Sequence, residues 1–483
     1  MIAPPRPNVP KIPSVKYMIA VGAGFDIPTG VYLEGVHGQM CLNGGLGAIT
    51  AITGMGNSFK STILHFMALS AASRVGKYSY IDTYDTEMNV QPHRLSELAK
   101  SISTVGNEDW IENGRWRITD SSVCLGNKWF SLFKESMLQK INDSKEYLVD
   151  TPFLDKDKGK SRSCIKVIYP TFQEIDSLSK FTTADVVKIQ DKNELGDPGG
   201  NTVSMRQGLQ KTRLLDELPS LATGSSTYIL MTAHYGKEIN LDPYSAPTKQ
   251  LPDMKHNQKI KGVPLNFTYL ITTCWHVEKC EKLLNNDKTI LFPKEPEDKA
   301  LKIEDLNLVT LKKLRSKNGS SGSMIKVIVS QEYGVLPSLT EFYHIRTNQF
   351  GFIGNDKNYK CVLYQDVNLN RVNIRKMLAE HKQLERAINI LSEYLQLIIN
   401  RSHQLLPKYN CTPEELYQGI IDQGYDWEMI LTQTRGYPTV NNEDELLELS
   451  TLDILRMRVG DYHPFWLDKD KKTILKKFTK NAT

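Results

Sequence analysis

The chain has 483 residues, 40% of them hydrophobic and 24% charged, a balance that excludes a disordered or fibrous protein and fits a folded globular one. A single core rarely grows to this length, so one large domain with additions is expected, and the small net charge of +5 leaves any nucleic-acid contact to a local basic patch. Seven scattered cysteines fit a reducing compartment, no stretch approaches a membrane span, and the N-terminus MIAPPRPNVPKIP lacks the apolar run of a signal peptide, so a cytoplasmic protein is expected.

Residues 1–16 are proline-rich and read as an extended arm. From 17 to 47 the glycine-rich text VGAGFDIPTG and LNGGLG predicts short strands and tight turns. The alternation AITAIT (48–53) then predicts a strand and leads into GMGNSFKST, which is Gly54, Met55, Gly56, Asn57, Ser58, Phe59, Lys60, Ser61 and Thr62. A buried helix is predicted over 63–72. Strand, glycine loop, Lys-Ser and helix form the layout of a phosphate-binding P-loop. In that layout backbone N–H groups and the helix N-terminus cradle phosphates, Lys60 reaches the outer phosphates and the Ser61 hydroxyl binds Mg²⁺. Phe59 stands where G-x-x-x-x-G-K-S/T has its second glycine. The bare spacing would recur by chance in roughly one chain in four of this length, so the flanking strand and helix carry much of the weight.

Strand and helix patterns alternate to about residue 235, which predicts βαβ units and a largely parallel sheet. Two predicted strands end in acids, 78–87 at Asp85 and Glu87, and 165–177 at Asp176 followed by Ser177. Ligands of parallel sheets bind at that edge. The stretch 150–163, with charges of both signs, reads as a surface insertion. Segment 236–264 is long for an unstructured loop, and loops of that length are usually functional or disordered. Cys274, His276 and Cys280 fit a half-buried strand better than a zinc site, because no second ligand pair lies close by. Beyond residue 366, Ile374, Met377, Leu378, Leu384, Ile388, Leu391, Leu395 and Ile398 recur at helical spacing and predict one long amphipathic helix. A further helix is signalled by Thr412-Pro-Glu-Glu.

With these motifs in this order, the chain resembles the RecA recombinase family over about residues 25–340, and especially the UvsX-type recombinases of large phages, whose P-loops also place a phenylalanine before the lysine. The resemblance implies an α/β fold with a RecA-like P-loop NTPase core, a twisted, mostly parallel sheet flanked by helices, placed over 17–365. The helical pattern beyond it, which the resemblance does not cover, reads as a separate α-helical C-terminal domain over 366–483. It implies ATP and Mg²⁺ as cofactors, Glu87 as the water-activating glutamate and Asp176 as the Mg²⁺ carboxylate beside Ser61. His234, which ends the apolar strand 228–234, takes the place of a glutamine or asparagine that senses the γ-phosphate. Arg315 and Lys317, on a basic hairpin, would reach the ATP of a neighbouring subunit. Residues 191–204 look similar to the family's first DNA-binding loop and precede a helix (202–215) carrying Arg206 and Lys211. Segment 236–264 stands where the second loop belongs, with Lys237, Lys255, Lys259 and Lys261 available to phosphates.

Two departures stand out: the proline-rich arm replaces the family's N-terminal docking helix, and the stretch from Glu87 to Asp176 is longer than in the family. The expected activity is DNA-dependent ATP hydrolysis by a homo-oligomer, a filament on single-stranded DNA that promotes homologous pairing, with mediator or loader proteins as further partners. A ring-forming helicase or DNA motor on the same core, and a non-catalytic ATP-binding recombination mediator, are the alternative readings. The P-loop variant points to a phage, which would place the protein in the host cytoplasm.

Overall fold

The apolar runs read as strands assemble, in a computed structural model that describes residues 15–156, 162–192, 201–237, 249–301, 305–441 and 446–478, into one ten-stranded sheet. In chain order its strands are β1 (Ile49–Gly54), β2 (Ile81–Asp85), β3 (Trp116–Asp120), β4 (Thr171–Asp176) and β5 (Thr227–Lys237), then β6 (Gln258–Lys261), β7 (Thr273–Lys282), β8 (Leu306–Ser316), β9 (Met324–Ser330) and β10 (Gly334–Val335). Across the sheet the order is β10-β9-β8-β7-β1-β5-β4-β2-β3, with β6 added beside β5. The run from β7 to β3 is parallel throughout. Strands β8, β9 and β10 extend it antiparallel, and β6 folds back antiparallel on the tip of β5. Strands β1 and β4 are buried along their whole length, as central strands covered on both faces must be.

Helix α1 (Lys60–Val75) covers β1, β4 and β5 with Ile63, Leu64, Met67, Ala68 and Ala71, all fully buried. One polar pair is sealed into this packing. His65 Nδ1 lies 3.0 Å from Glu174 Oε2, with side chains 6% and 0% exposed. Thr83 also donates to that oxygen, and Trp116 Nε1 donates to Thr83 Oγ1 at 2.8 Å. A buried charge without its partner would cost several kcal/mol, so the pair pins α1 to β4 in one arrangement.

Several expectations are corrected. The stretch read as a surface insertion is in part built into the fold, because strand Leu148–Leu154 pairs with Cys164–Ile168 and buries Val149, Thr151 and Phe153 on alternate positions; residues 157–161 of that stretch lie outside the described residues. The single strand read over 165–177 is two strands, broken at Tyr169-Pro170, where proline cannot donate to a ladder. The long helix of the C-terminal region is also two, Ile374–Glu380 and α3 (Lys382–Arg401), separated by extended His381. The Thr412 signal forms a reciprocal capping box with Glu415.

The C-terminal helices do not have a core of their own. Their apolar faces join one cluster with Ile27, Tyr32 and Leu42 near the N-terminus and with Leu306, Leu308 and Ile328 of the sheet. Polar bonds reinforce the union: Met40 N donates to Asp453 Oδ2 at 2.8 Å, and the Arg401 guanidinium donates to the carbonyls of Ile27, Pro28 and Asn318. Residues 1–14 of the proline-rich arm lie outside the described residues. Among those described, no helix is long and apolar enough to cross a membrane.

Burial disfavours the His65 cation, but the Glu174 charge and hydrogen bond, helped by Asp176 and Asp85, outweigh it and raise the imidazole above its ordinary value. The stabilisation is therefore complete below the unfolded-state value of about 6.5 and is lost as pH rises through the raised folded value. The gap in melting temperature between the protein and a His65→Gln/Glu174→Gln double variant should accordingly be widest at pH 6 and narrow by pH 9. A gap that widens with pH would reverse the assignment.

Candidate functional site

Parallel pairing brings the tips of β1, β5, β4 and β2 to one edge: Gly54 lies opposite His234, and Asp85 opposite Asp176. The chain leaves β1 through the glycine loop and enters α1 at Lys60. No side chain caps this sixteen-residue helix, so its first N–H groups face the edge. An uncapped helix start attracts anions through those donors and the helix dipole. Within the loop, Ser58 Oγ and Lys60 Nζ both donate to Met55 O, at 2.7 and 2.6 Å. Burial pulls the Lys60 ammonium below its usual value, and the charges of Asp176 and Glu87 oppose that shift. Phe59 has φ 60° and ψ 19°, the left-handed conformation that explains why glycine suits this position. Its ring packs against the core around α1.

Beyond β2 the chain is held by one carboxylate. Asp85 Oδ1 accepts from the N–H groups of Glu87 and Met88, and Oδ2 from that of Val90, at 2.8–2.9 Å. Thr86 stitches this turn to the β4 tip: its N–H donates to Asp176 O, its hydroxyl donates to Ser177 O, and Ser177 N donates back to that hydroxyl. The Glu87 carboxylate is thereby presented at the edge. Ser177 Oγ donates to its Oε1 at 2.7 Å, and His234 Nε2 lies 3.0 Å from the same oxygen. Burial pushes this carboxyl up, but the bonds from Ser177 and His234 and the charges of His234 and Lys60 bring it below the usual carboxylate range. Thr232 donates to Asp176 Oδ1. The edge thus holds an ionised carboxylate aimed by two donors, a second carboxylate, a lysine and an uncapped helix start.

Glycine loop, Lys60, Glu87, Asp176 and His234 therefore meet as the sequence suggests, whereas Arg315 and Lys317 do not join them within one chain. Arg315 lies opposite Cys274, itself level with Ala51, toward the N-terminal end of β1. Its guanidinium donates to the carbonyls of Ile271 and Tyr269, and Lys317 is exposed nearby. The expected half-buried strand is corrected: β7 is buried at every position from Thr273 to Val277 and exposed from Lys279 to Lys282, so Cys274 and His276 are buried and Cys280 is exposed. His276, pulled down to about 4 by burial, faces the Thr53 hydroxyl at 3.2 Å.

Of the basic residues read as DNA contacts, Arg206, Lys237, Lys255, Lys259 and Lys261 are exposed, and Lys255 pairs with Glu278. Lys211 is a correction. It is 2% exposed, and its ammonium donates to the carbonyls of Ser179 and Gly262 at 2.8 and 2.7 Å, so it cannot reach a phosphate. The sequence carries a signal for this, since Lys211 shares its helix face with Leu214, Leu215, Leu218 and Ala222, all buried. The positioning roles of Asp85, Thr86 and Thr232 escape a reading of the sequence. Residues 193–200 and 238–248 of the two candidate loops lie outside the described residues.

The chain matches no model of a known protein family and no curated protein.

The left-handed backbone at Phe59 predicts an order of stabilities. Phe59→Ala loses the ring packing and keeps the strain, whereas Phe59→Gly loses the packing and relieves it. Denaturant unfolding should therefore find the glycine variant more stable than the alanine variant by about 1 kcal/mol.

Proposed function

We propose that the chain is a DNA-dependent ATPase of RecA-like architecture that oligomerises on single-stranded DNA and promotes homologous pairing. The observation that carries the reading is the convergence at one sheet edge of an uncapped helix start bearing Lys60 and Ser61 with the Glu87–Ser177–His234 triad and Asp176. The place of β1 supports it, since this strand lies inside the parallel run and its neighbours β5 and β7 come late in the chain.

In this reading the glycine loop and the first N–H groups of α1 hold the triphosphate, and Lys60 exchanges its bond to Met55 O for the outer phosphates. Ser61 and Asp176, with the phosphates themselves, offer the oxygen donors that Mg²⁺ takes. Glu87, kept ionised and aimed by Ser177 and His234, orients the attacking water. His234 bridges Glu87 and the β5–β6 hairpin, so a ligand on that hairpin and the water-orienting carboxylate act on one another. Arg315 and Lys317, remote from their own chain's glycine loop, suit a role toward a neighbouring subunit. The exposed Lys237, Lys255, Lys259 and Lys261 of the hairpin, with Arg206, supply phosphate contacts.

Hydrolysis assayed with and without single-stranded DNA tests the reading. Lys60→Ala should abolish nucleotide binding, whereas Glu87→Gln should keep binding and lose about 10²-fold or more in turnover. Normal turnover by Glu87→Gln would remove the catalytic assignment. Replacing Lys255, Lys259 and Lys261 together by alanine should weaken DNA binding and reduce its salt slope by about 0.7 for each phosphate that is no longer neutralised. An unchanged slope would remove the hairpin from the DNA site. Electron microscopy with single-stranded DNA and a slowly hydrolysed ATP analogue separates filaments from rings.

A further inference from the structure

The buried ammonium of Lys211 lies at a joint where four elements meet. One is α2 (Asn201–Ser225), which carries Lys211 on its inward face. The second is the turn after β4, Leu178–Lys180, which supplies Ser179. The others are the tip of β5 and the returning strand β6, paired so that Lys261 faces His234. Ser179 bonds to all three of its neighbours. Its hydroxyl accepts from His234 N at 2.9 Å and donates to Lys261 O at 2.8 Å, and its carbonyl accepts from Lys211 Nζ at 2.8 Å. Lys211 closes the circuit on Gly262 O at 2.7 Å. Charge-assisted bonds of this kind are about twice as strong as neutral ones. The approach is also close: Gly262 has φ +69°, and a Cβ there would come within 2.9 Å of Ser179 O.

From this joint only one residue separates Ser179 from the carboxylate at the edge. His234 donates its backbone N–H to Ser179 Oγ, and its imidazole lies against Glu87 Oε1. A displacement of α2 or β6 is therefore transmitted to the ring that aims Glu87. The circuit consists of short polar bonds between rigid elements, which have discrete rather than graded arrangements.

We propose that Ser179 and Lys211 are positioning residues that couple the basic β5–β6 hairpin and α2 to the Glu87–His234 pair, so that DNA bound at these elements sets the rate of ATP hydrolysis. The inference rests on the ATPase reading given above. Neither residue touches nucleotide or DNA; their work is to hold β6 and α2 in register with His234.

The test compares Ser179→Ala, Lys211→Met and the hydroxyl-retaining Ser179→Thr with the unaltered protein, each checked for an unchanged melting temperature. ATP turnover is measured with and without an oligo-dT single strand, and the affinity for that strand is measured separately. Coupling through the joint predicts that Ser179→Ala and Lys211→Met keep their DNA-free kcat, their KM for ATP and their DNA affinity. Stimulation by DNA should fall at least about fivefold, the lower end of ordinary coupling strengths, and Ser179→Thr should restore it. Should Lys211→Met unfold, Ser179→Ala decides, because it removes one hydroxyl at a half-exposed turn. Stimulation as strong as in the unaltered protein overturns the inference and leaves the ATPase reading standing. Stimulation that falls in step with DNA affinity overturns it too, since the residues would then serve DNA grip. An unaltered protein that fails to hydrolyse ATP, or hydrolyses it indifferently to DNA, removes the reading and the inference together.

Discussion

The edge depends on the register of four parallel strands. Gly54 stands opposite His234 and Asp85 opposite Asp176, and Ile175 faces Met231 so that Asp176 comes beside Thr232, because β1, β5, β4 and β2 pair without a bulge. A slip of one residue in any of them would turn its side chains to the opposite face of the sheet. His234 would then leave Glu87, and Thr232 would leave Asp176. The burial of β1 and β4 on both faces and the sealed His65–Glu174 pair oppose such slips, so the packing behind the edge holds the geometry in front of it.

Much of this edge is legible in the residue order. Alternating AITAIT, a glycine loop and an apolar helical run identify β1 and α1 without any tertiary information, and strand-end acids mark the tips of β2 and β4. What stays hidden depends on pairings between distant segments. Asp85 and Glu87 are equivalent on paper, yet Asp85 is consumed by three backbone N–H groups and only Glu87 reaches the edge. Lys211 reads as a DNA contact only when charge is weighed ahead of helical phase. Pro170 marks a strand break that the apolar text on either side conceals. No residue type announces the break at extended His381 between the two helices.

Charge is placed deep in this protein more than once, and some of it joins elements that the chain separates widely. Lys313, 1% exposed, donates to Pro28 O, and Arg401 reaches the same carbonyl from α3. Glu341, raised to about 8 by burial and by the charge of Glu393 and so held protonated near neutral pH, adds a buried polar contact to Asn389 of α3. Such groups are costly to desolvate, and they tolerate few alternative arrangements once their partners are fixed. They favour one docking of the C-terminal helices on the sheet, where apolar packing alone would allow several.

The cluster shared by the two ends of the chain also governs how the molecule is born. Met40 and Asp453 are 413 residues apart in sequence, and the apolar residues around them, from Ile27 to Trp466, bury one another. At about 5–20 residues per second, a ribosome needs roughly 20–80 s to deliver the second half of that pairing after the first. During that interval Tyr32 and Leu42 wait without the helices that finally cover them. The nascent chain therefore carries an exposed apolar patch at Tyr32 and Leu42 until the C-terminal helices that cover it have been made.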